Sequence, residues 1–333
     1  MTKVVHIQRR GEVFTLSRYA LLDAPIFEKT ISVELMTEHL KAVCQLFGGK
    51  CKWLALTLGV NDALVRHVEL PSMPLDDMRL VLKNNSRAYL QQDMSGYVFD
   101  CQVVANGQSQ KPNESTKGSS SATKQKVLIA GAKKELVDDL VAASRNAGFV
   151  PDLILPGVIG PVNAFEMAMS EVYSKESVAL VDLGFRSSSI SILQEGHLAL
   201  NRVVGIGGDR LTGGLAESMN ISYAEAEGIK IGMAGEVQGV LESLLTPLGR
   251  ELRASIDFFE HQQDRTVSHV YLCGASSQSD FIIETLRREL MAECRTWNPL
   301  TSLKLALPSE QMAEIEQVAP QLTVAVGAAV SAL

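Results

Sequence analysis

The sequence lacks any run of apolar residues long enough to cross a membrane, which takes about 20. Leu322 to Leu333 is apolar but short, and reads as a buried terminal helix. The chain also lacks a Lys/Arg cluster. With 31 basic and 38 acidic residues its net charge is -7, which gives a nucleic-acid role no support. Cysteine is scarce. Cys44, Cys51, Cys101, Cys273 and Cys294 are an odd number without metal-ligand spacing. They read as buried or incidental thiols in a reducing compartment, which argues against a disulfide framework. A signal peptide is not expected, because Met1-Thr-Lys-Val-Val-His runs into Arg9 and Arg10 without an apolar core. Together these absences predict a cytoplasmic chain that reaches a membrane only through a partner. What is present, 333 residues of which 46% are hydrophobic, is enough for about two domains with ample core.

The chain is organised around Ser177-Val-Ala-Leu-Val-Asp182-Leu-Gly184-Phe-Arg-Ser-Ser-Ser-Ile-Ser-Ile-Leu193. It opens as an apolar run, the pattern of a strand buried on both faces. An acid, a glycine and three serines follow, then an alternating strand. A strand, a polar turn and a second strand can hold a phosphate. Gly184 lets the backbone approach closely, and the hydroxyls of Ser187 and Ser188 can donate. Asp182 at the strand end can hold a hydrated Mg²⁺. A hairpin with a serine-rich turn explains the same residues equally well.

Beyond the return strand His197 to Val204 comes Gly205-Ile-Gly207-Gly208-Asp209, a loop expected to deliver a helix capped by Asp209. A helix start aimed at the hairpin favours an anion. Ser222-Tyr-Ala-Glu225 is a capping box that opens another helix. On it Glu227 and Lys230 stand three apart, as a grip for a ribose and base edge or as a solvent ion pair. Further on, the strand Val267 to Cys273 leads into Gly274-Ala275-Ser276-Ser277.

Taken together, these blocks resemble the actin-like ATPase superfamily, and within it the FtsA/PilM branch, above all the PilM family of type IV pilus assembly. The likeness rests on Ala179-Leu-Val-Asp-Leu-Gly184, Val204-Gly-Ile-Gly-Gly-Asp-Arg-Leu-Thr212, Asn220 to Glu227, Arg250 to Phe259, Val270-Tyr-Leu-Cys-Gly274, Trp297-Asn-Pro-Leu300 and Ala319 to Gly327. No single piece is specific; their order along nearly the whole chain is. The resemblance implies an α/β, actin-like two-lobe fold, with ribonuclease H-like duplicated sheets and an FtsA/PilM-type inserted subdomain. It implies lobe 1 at 1–30, 149–176 and 310–333, an inserted subdomain at 31–148 with a flexible loop at 106–126, and lobe 2 at 177–309. It implies a nucleotide site made of Asp182, Gly184, Ser187, Ser188, Gly207, Gly208, Glu227, Lys230, Gly274, Ala275 and Ser276, with Asp182 on the Mg²⁺ of a bound ATP. Where relatives have three glycines, Ala275 and Ser276 add side chains, so adenosine binding is expected to be weak.

The first half echoes the second. Lys3 to Leu22 reads as a hairpin turning at Gly11, as Ile190 to Val204 turns at Gly196. Before Ile190 stands a full strand and the phosphate turn; before Val4 stand three residues. By resemblance the first strand and phosphate-1 loop of lobe 1 are missing, which would leave two rows of backbone groups without partners. Trp53 to Leu58 and Ala63 to Leu70 are expected to pair around Gly59-Val-Asn-Asp62. A helix is expected from Pro74 to about Gln92, another from Pro161 to Tyr173, and a long one from Glu236 to Gln262, kinked or broken at Pro247.

The function implied by the resemblance is a cytoplasmic scaffold of a pilus or related secretion complex at the inner membrane. It would bind the short cytoplasmic tail of a bitopic, PilN-like protein, with ATP binding weak or lost and self-association left open. The absent first clamp, and Lys83-Asn84-Asn85-Ser86-Arg87 where relatives carry acids, argue against hydrolysis, while Arg186 in the phosphate turn could replace lost positive charge or plug an empty site. An active ATPase or a phosphotransferase of the sugar-kinase branch is the alternative, but no carboxylate base stands out. A cell-division adaptor of the FtsA kind would call for an amphipathic terminal helix, and a type II secretion protein for a membrane span.

Overall fold

A computed structural model describes residues 1–27, 30–49, 51–104 and 124–333. The chain opens with the antiparallel hairpin of β1 (Thr2–Arg10) and β2 (Val13–Leu22). Gly11 makes its turn at a φ of +60°, which costs little without a side chain. Helix α1 (Val33–Leu46) starts at Ser32, whose hydroxyl accepts the Leu35 amide. After it come β3 (Trp53–Leu58), β4 (Ala63–Pro71), α2 (Leu75–Leu90), β5 (Tyr97–Val103) and β6 (Lys124–Lys133). Strands β4, β6 and β5 form their own antiparallel sheet in that order. One face packs on α2 through Leu70, Met78, Leu82, Val127 and Ile129. This sheet spans 63–133, inside the 31–148 expected for the inserted subdomain. The expected loop at 106–126 lies mostly outside the described residues, and its last residues, Lys124 to Lys126, belong to β6.

Helix α3 (Lys134–Asn146) and β7 (Val150–Pro156) return to the first half. There β3 pairs with β7, in parallel, and not with β4 as its sequence neighbourhood suggests. A parallel pair needs a long crossover. The whole inserted sheet serves as that crossover, so the Gly59–Asp62 turn directs the chain out of one sheet and into another. The helix expected at 161–173 is two, α4 (Ile159–Ala168) and α5 (Ser170–Lys175), broken where Met169 adopts a φ of -132° and a ψ of 43°.

The second half is built on β8 (Ser177–Leu183), β9 (Ser188–Gln194) and β10 (His197–Val204), then helices α6 (Gly208–Met219), α7 (Tyr223–Gly232) and α8 (Gln238–Gln263). Strand β11 (His269–Cys273), helix α9 (Asp280–Leu290) and β12 (Cys294–Thr296) complete a five-stranded sheet of order β10-β9-β8-β11-β12. Helix α8 continues through Pro247 as one element, without the break that was one of the two expectations there. Its buried Leu245, Leu248, Leu252, Ile256 and Phe259 hold it to the sheet on both sides of the proline, Leu241 packs on α6 and α7, and that packing outweighs one lost hydrogen bond. Helix α2 bends instead, at Asn85, and ends with Gln91 in the left-handed region.

Finally β13 (Lys304–Leu305), α10 (Ser309–Val318) and α11 (Thr323–Ser331) cross back to the first half. Strand β13 extends the hairpin sheet, order β1-β2-β13, and Trp297, Leu300 and Leu303 share a core with Ile7, Leu16 and Phe165. Residues expected in lobe 2 up to 309 thus pack partly with the first half. Helices α4 and α11 touch through glycines, since a Cβ on Gly160 would stand 2.7 Å from the Val324 carbonyl. A Cβ on Gly327 would collide with the Gly160 carbonyl. The inserted sheet is also tied to β10: His67 Nε2 donates to the Leu198 carbonyl at 2.7 Å, and Lys126 Nζ to the Ala199 carbonyl at 3.2 Å. Among the described residues, no helix is long and apolar enough to cross a membrane.

Candidate functional site

The site grows from the end of β8. Both faces of this strand are covered, and its last residues pair with Ser189 and Ser188 on one side and with Cys273 on the other. Asp182 is therefore held at the sheet end, enclosed by protein but still reachable on one side. Burial pushes its carboxyl pKa up, against the Lys3 charge and the Cys273 thiol, which pull it down. Gly274 closes over it at a φ of +91°. A Cβ there would stand 2.8 Å from Asp182 Oδ1 and 2.4 Å from the Leu183 carbonyl, so the position requires glycine on two counts.

The turn after β8 meets the start of α6. The amides of Gly208 and Asp209 donate to the carbonyls of Gly184 and Phe185, both at 2.9 Å. A Cβ on Gly207 would be 2.4 Å from the Phe185 carbonyl and 2.7 Å from that of Gly184. The expected cap, Asp209, is not the cap: Gly207 holds that position, and the turn's own carbonyls satisfy the first amides. The Asp209 carboxylate accepts instead from the Tyr223 hydroxyl at 2.8 Å. Ser188 is fully buried and its hydroxyl donates to the Ile206 carbonyl at 2.7 Å. Ser187 accepts from Asn61 Nδ2 at 3.0 Å, a contact from the first half to the second. Phe185 and Arg186 between them are exposed.

Glu227 and Lys230 form a network in which the lysine is buried and the carboxylate half-exposed. Lys230 is only 3% exposed, and its Nζ donates to Glu227 Oε2 at 2.7 Å and to Thr212 Oγ1 at 2.8 Å. The Thr212 hydroxyl has one proton for two acceptors, the Gly208 carbonyl at 2.9 Å and Glu227. Burial and the Asp209 bond push the Tyr223 phenol up to about 12. The solvent ion pair offered as one reading of Glu227 and Lys230 does not describe this amine. Ala275 to Gln278 form a single 3₁₀ turn, where Ser276 is buried and its Oγ would lie 3.0 Å from a Cβ on Gly208.

The predicted residues thus form one chain of contacts, from Asp182 through Gly274 and from Gly184 through Gly207 and Gly208 to Ser276, Lys230 and Glu227. A family model described as type IV pilus assembly protein PilM matches residues 1–333. The chain belongs to the PilM family. A solved structure described as a PilM-PilN type IV pilus biogenesis complex is similar with a TM-score of 0.82 and 22% identity, over 99% of this chain and 95% of that one. That likeness carries the actin-like two-lobe fold. Cell division protein FtsA of Bacillus subtilis (strain 168) is 33% identical over 103 residues. The match spans 31% of this chain and 22% of FtsA, so this chain matches about a fifth of that relative's length. The ethanolamine utilization protein EutJ from Carboxydothermus hydrogenoformans is similar at a TM-score of 0.43 and 18% identity, over 58% of this chain and 60% of its own.

For this PilM-family chain, sequence reasoning missed four residues of the site. Lys3 acts on Asp182 from the first hairpin, and Asn61 reaches Ser187 from the β3–β4 turn. Thr212 and Tyr223 complete the network around Lys230 and Asp209. Thr212 and Tyr223 lay inside motifs already singled out, and Asn61 in a Gly-x-Asn-Asp turn between apolar runs, but Lys3 carried no signal. The described residues contain no group of three or more His, Cys, Asp or Glu able to hold a metal. Asp182 stands as a single carboxylate. Mg²⁺ is commonly held by one or two carboxylates plus phosphate oxygens, so a metal here would have to arrive with a nucleotide.

Proposed function

We propose that this PilM-family chain is a scaffold of the inner-membrane assembly complex of a type IV pilus or related secretion system. In this reading it is cytoplasmic and grips the short cytoplasmic tail of a bitopic, PilN-like protein, which brings it to the membrane. The similar solved structure is a PilM-PilN complex, which supports the choice of partner. The tail would lie in the groove between the inserted subdomain at 31–148 and lobe 1.

ATP binding is read as weak or lost. The observation that carries this is the prior use of the turn's donors. Gly208 and Asp209 spend their amides on Gly184 and Phe185, and Ser188 spends its hydroxyl on Ile206, while Ser187 accepts from Asn61 and keeps its own proton to donate. A phosphate would have to displace contacts worth about 1 kcal/mol each. Gly184, Gly207 and Gly274 pack against the chain's own carbonyls, so a nucleotide would meet bare backbone only after those contacts open. If one binds, Asp182 would face its Mg²⁺, Gly184, Ser187 and Ser188 its phosphate, Gly207, Gly208, Glu227 and Lys230 its ribose, and Gly274, Ala275 and Ser276 its base. Bound Mg²⁺ would supply charge neutralisation for the phosphates.

Calorimetric titration with ATP–Mg²⁺ tests this part, with a Kd weaker than about 0.1 mM expected. Micromolar binding with turnover would replace the scaffold by an active enzyme. Retention on an immobilised N-terminal peptide of a PilN-like protein tests the partner, and a failure to retain the chain removes the tail-binding claim.

A further inference from the structure

Strand β2 is covered along only part of the side that faces away from β1. Strand β13 pairs there with Thr15 and Leu16 alone, and its chain then leaves the sheet for α10. From Ser17 to Leu22 no strand follows on that side among the described residues. One side chain stands in for it. The Gln311 amide group on α10 accepts from the Tyr19 N–H at 3.3 Å and donates to the Tyr19 carbonyl at 2.8 Å, the two bonds a neighbouring strand would make. In an antiparallel strand the backbone groups of successive residues point to alternate sides. Those of Tyr19 point away from β1, so those of Leu21 do as well, while those of Ala20 point to Val4. Among the described residues nothing pairs with the Leu21 N–H or carbonyl. A cavity of about 550 Å³ lies over this stretch, lined by Arg18 to Leu21, by Leu46 at the end of α1, and by Glu310, Gln311 and Glu314 of α10.

We propose that this edge docks a short extended segment of a partner protein, with basic and apolar residues at alternate positions, which pairs with Leu21 and takes over the Tyr19 bonds from Gln311. The charge of the segment follows from the lining. Glu310 and Glu314 stand one turn apart on α10, both exposed. The cation of the lining, Arg18, is turned to the other side, where it donates to the Leu46 carbonyl at 2.7 Å at the negative end of α1. The two carboxylates therefore line the groove without a counter-charge beside them, and favour lysine or arginine. The alternation follows from the strand itself, whose successive side chains point to opposite sides. Opposite the acids, Leu46, which is 50% exposed, and Ala20 offer an apolar seat.

The stretch that follows β2 does not match this seat, since Asp23 to Phe27 carries an acid and a proline and no basic residue. Apart from Leu46, no residue of 31–148 lines the groove. It is thus separate from the tail groove proposed above and does not depend on it.

Hydrogen exchange on the full chain tests the edge, with the peptide acetyl-Lys-Val-Lys-Val-Lys-amide as the probe. In the free protein the Leu21 amide is expected to exchange about tenfold or more faster than that of Ala20. Saturating peptide should slow Leu21 by about tenfold or more, with β9 and β11 unchanged. Replacing both acids, Glu310→Gln with Glu314→Gln, should weaken the peptide about fivefold. Gln311→Ala should tighten it about fivefold while thermal unfolding stays cooperative, because the segment no longer competes for Tyr19. Four results overturn the proposal: a Leu21 amide that exchanges as slowly as Ala20 in the free protein; no slowing with the peptide in either the native chain or Gln311→Ala; equal slowing by acetyl-Glu-Val-Glu-Val-Glu-amide; or protection that grows with protein concentration alone, which makes the edge a contact between copies.

Discussion

The hairpins β1–β2 and β9–β10 began as one observation, two similar strand-turn-strand patterns, and ended in different surroundings. Both turn at a glycine with positive φ, Gly11 and Gly196, and both carry their register shift on the second strand. Yet β9 leans on a central strand and is buried on both sides, whereas β1 is the outer strand of its sheet and is mostly half-buried. The pattern specifies a hairpin in each case. Whether that hairpin becomes the middle or the edge of a sheet depends on residues outside it, and so does the degree to which its side chains matter.

The largest expected effect lies where the two halves share a core. Phe165 of α4 packs against Tyr271 and Trp297, with ring centroids 4.9 and 5.1 Å apart. Phe165→Ala should lower stability by about 3–5 kcal/mol in urea unfolding. A much smaller loss would mean that the halves unfold separately. Next comes the direct contrast of the sheets. Val181→Ala on β8 should cost about 2 kcal/mol and Val5→Ala on β1 less than about 1 kcal/mol. Equal losses would erase the difference between an intact sheet and an open one.

Acid should weaken the tie between the inserted sheet and β10. Burial and the Lys126 charge hold the His67 pKa below its usual 6.5, against the pull of its bond to Leu198. The unfolded chain then takes up a proton before the folded one does. Stability from this group is complete above about pH 6.5 and falls as the pH drops toward the folded value. His67→Gln should flatten that slope in unfolding measured from pH 7.5 to 5.5. The smallest effect belongs to Asn61→Ala. Losing one exposed bond to Ser187 should cost under about 1 kcal/mol, seen as faster exchange at residues 184–188 alone.

Much of the second half was legible because its signals are local. An apolar run, an acid and a glycine mark β8 and its turn, and Ser222 with Glu225 forms the capping box that its spacing announces. The partner of β3 was not legible. Adjacent strands usually pair, but β7 lies beyond the entire inserted sheet, and no local pattern encodes a parallel partner so far away. Asp209 illustrates a second limit. As a residue type it suits a cap, but the cap position was decided by how closely Gly207 approaches the turn carbonyls, which only tertiary structure reveals. Glu227 and Lys230 were found by spacing, yet the network that holds the buried amine runs through Thr212, which no periodicity connects to them.

The bonds from His67 and Lys126 to the rim strand β10 have a mechanical consequence. Covalently, the inserted sheet hangs from the first half through the turn after β3 and the helix before β7. Through these two side chains it is also moored to the other half. Tension applied to it is therefore divided between two routes, one along the backbone and one straight into β10, and a tug at this appendage is felt by both halves at once.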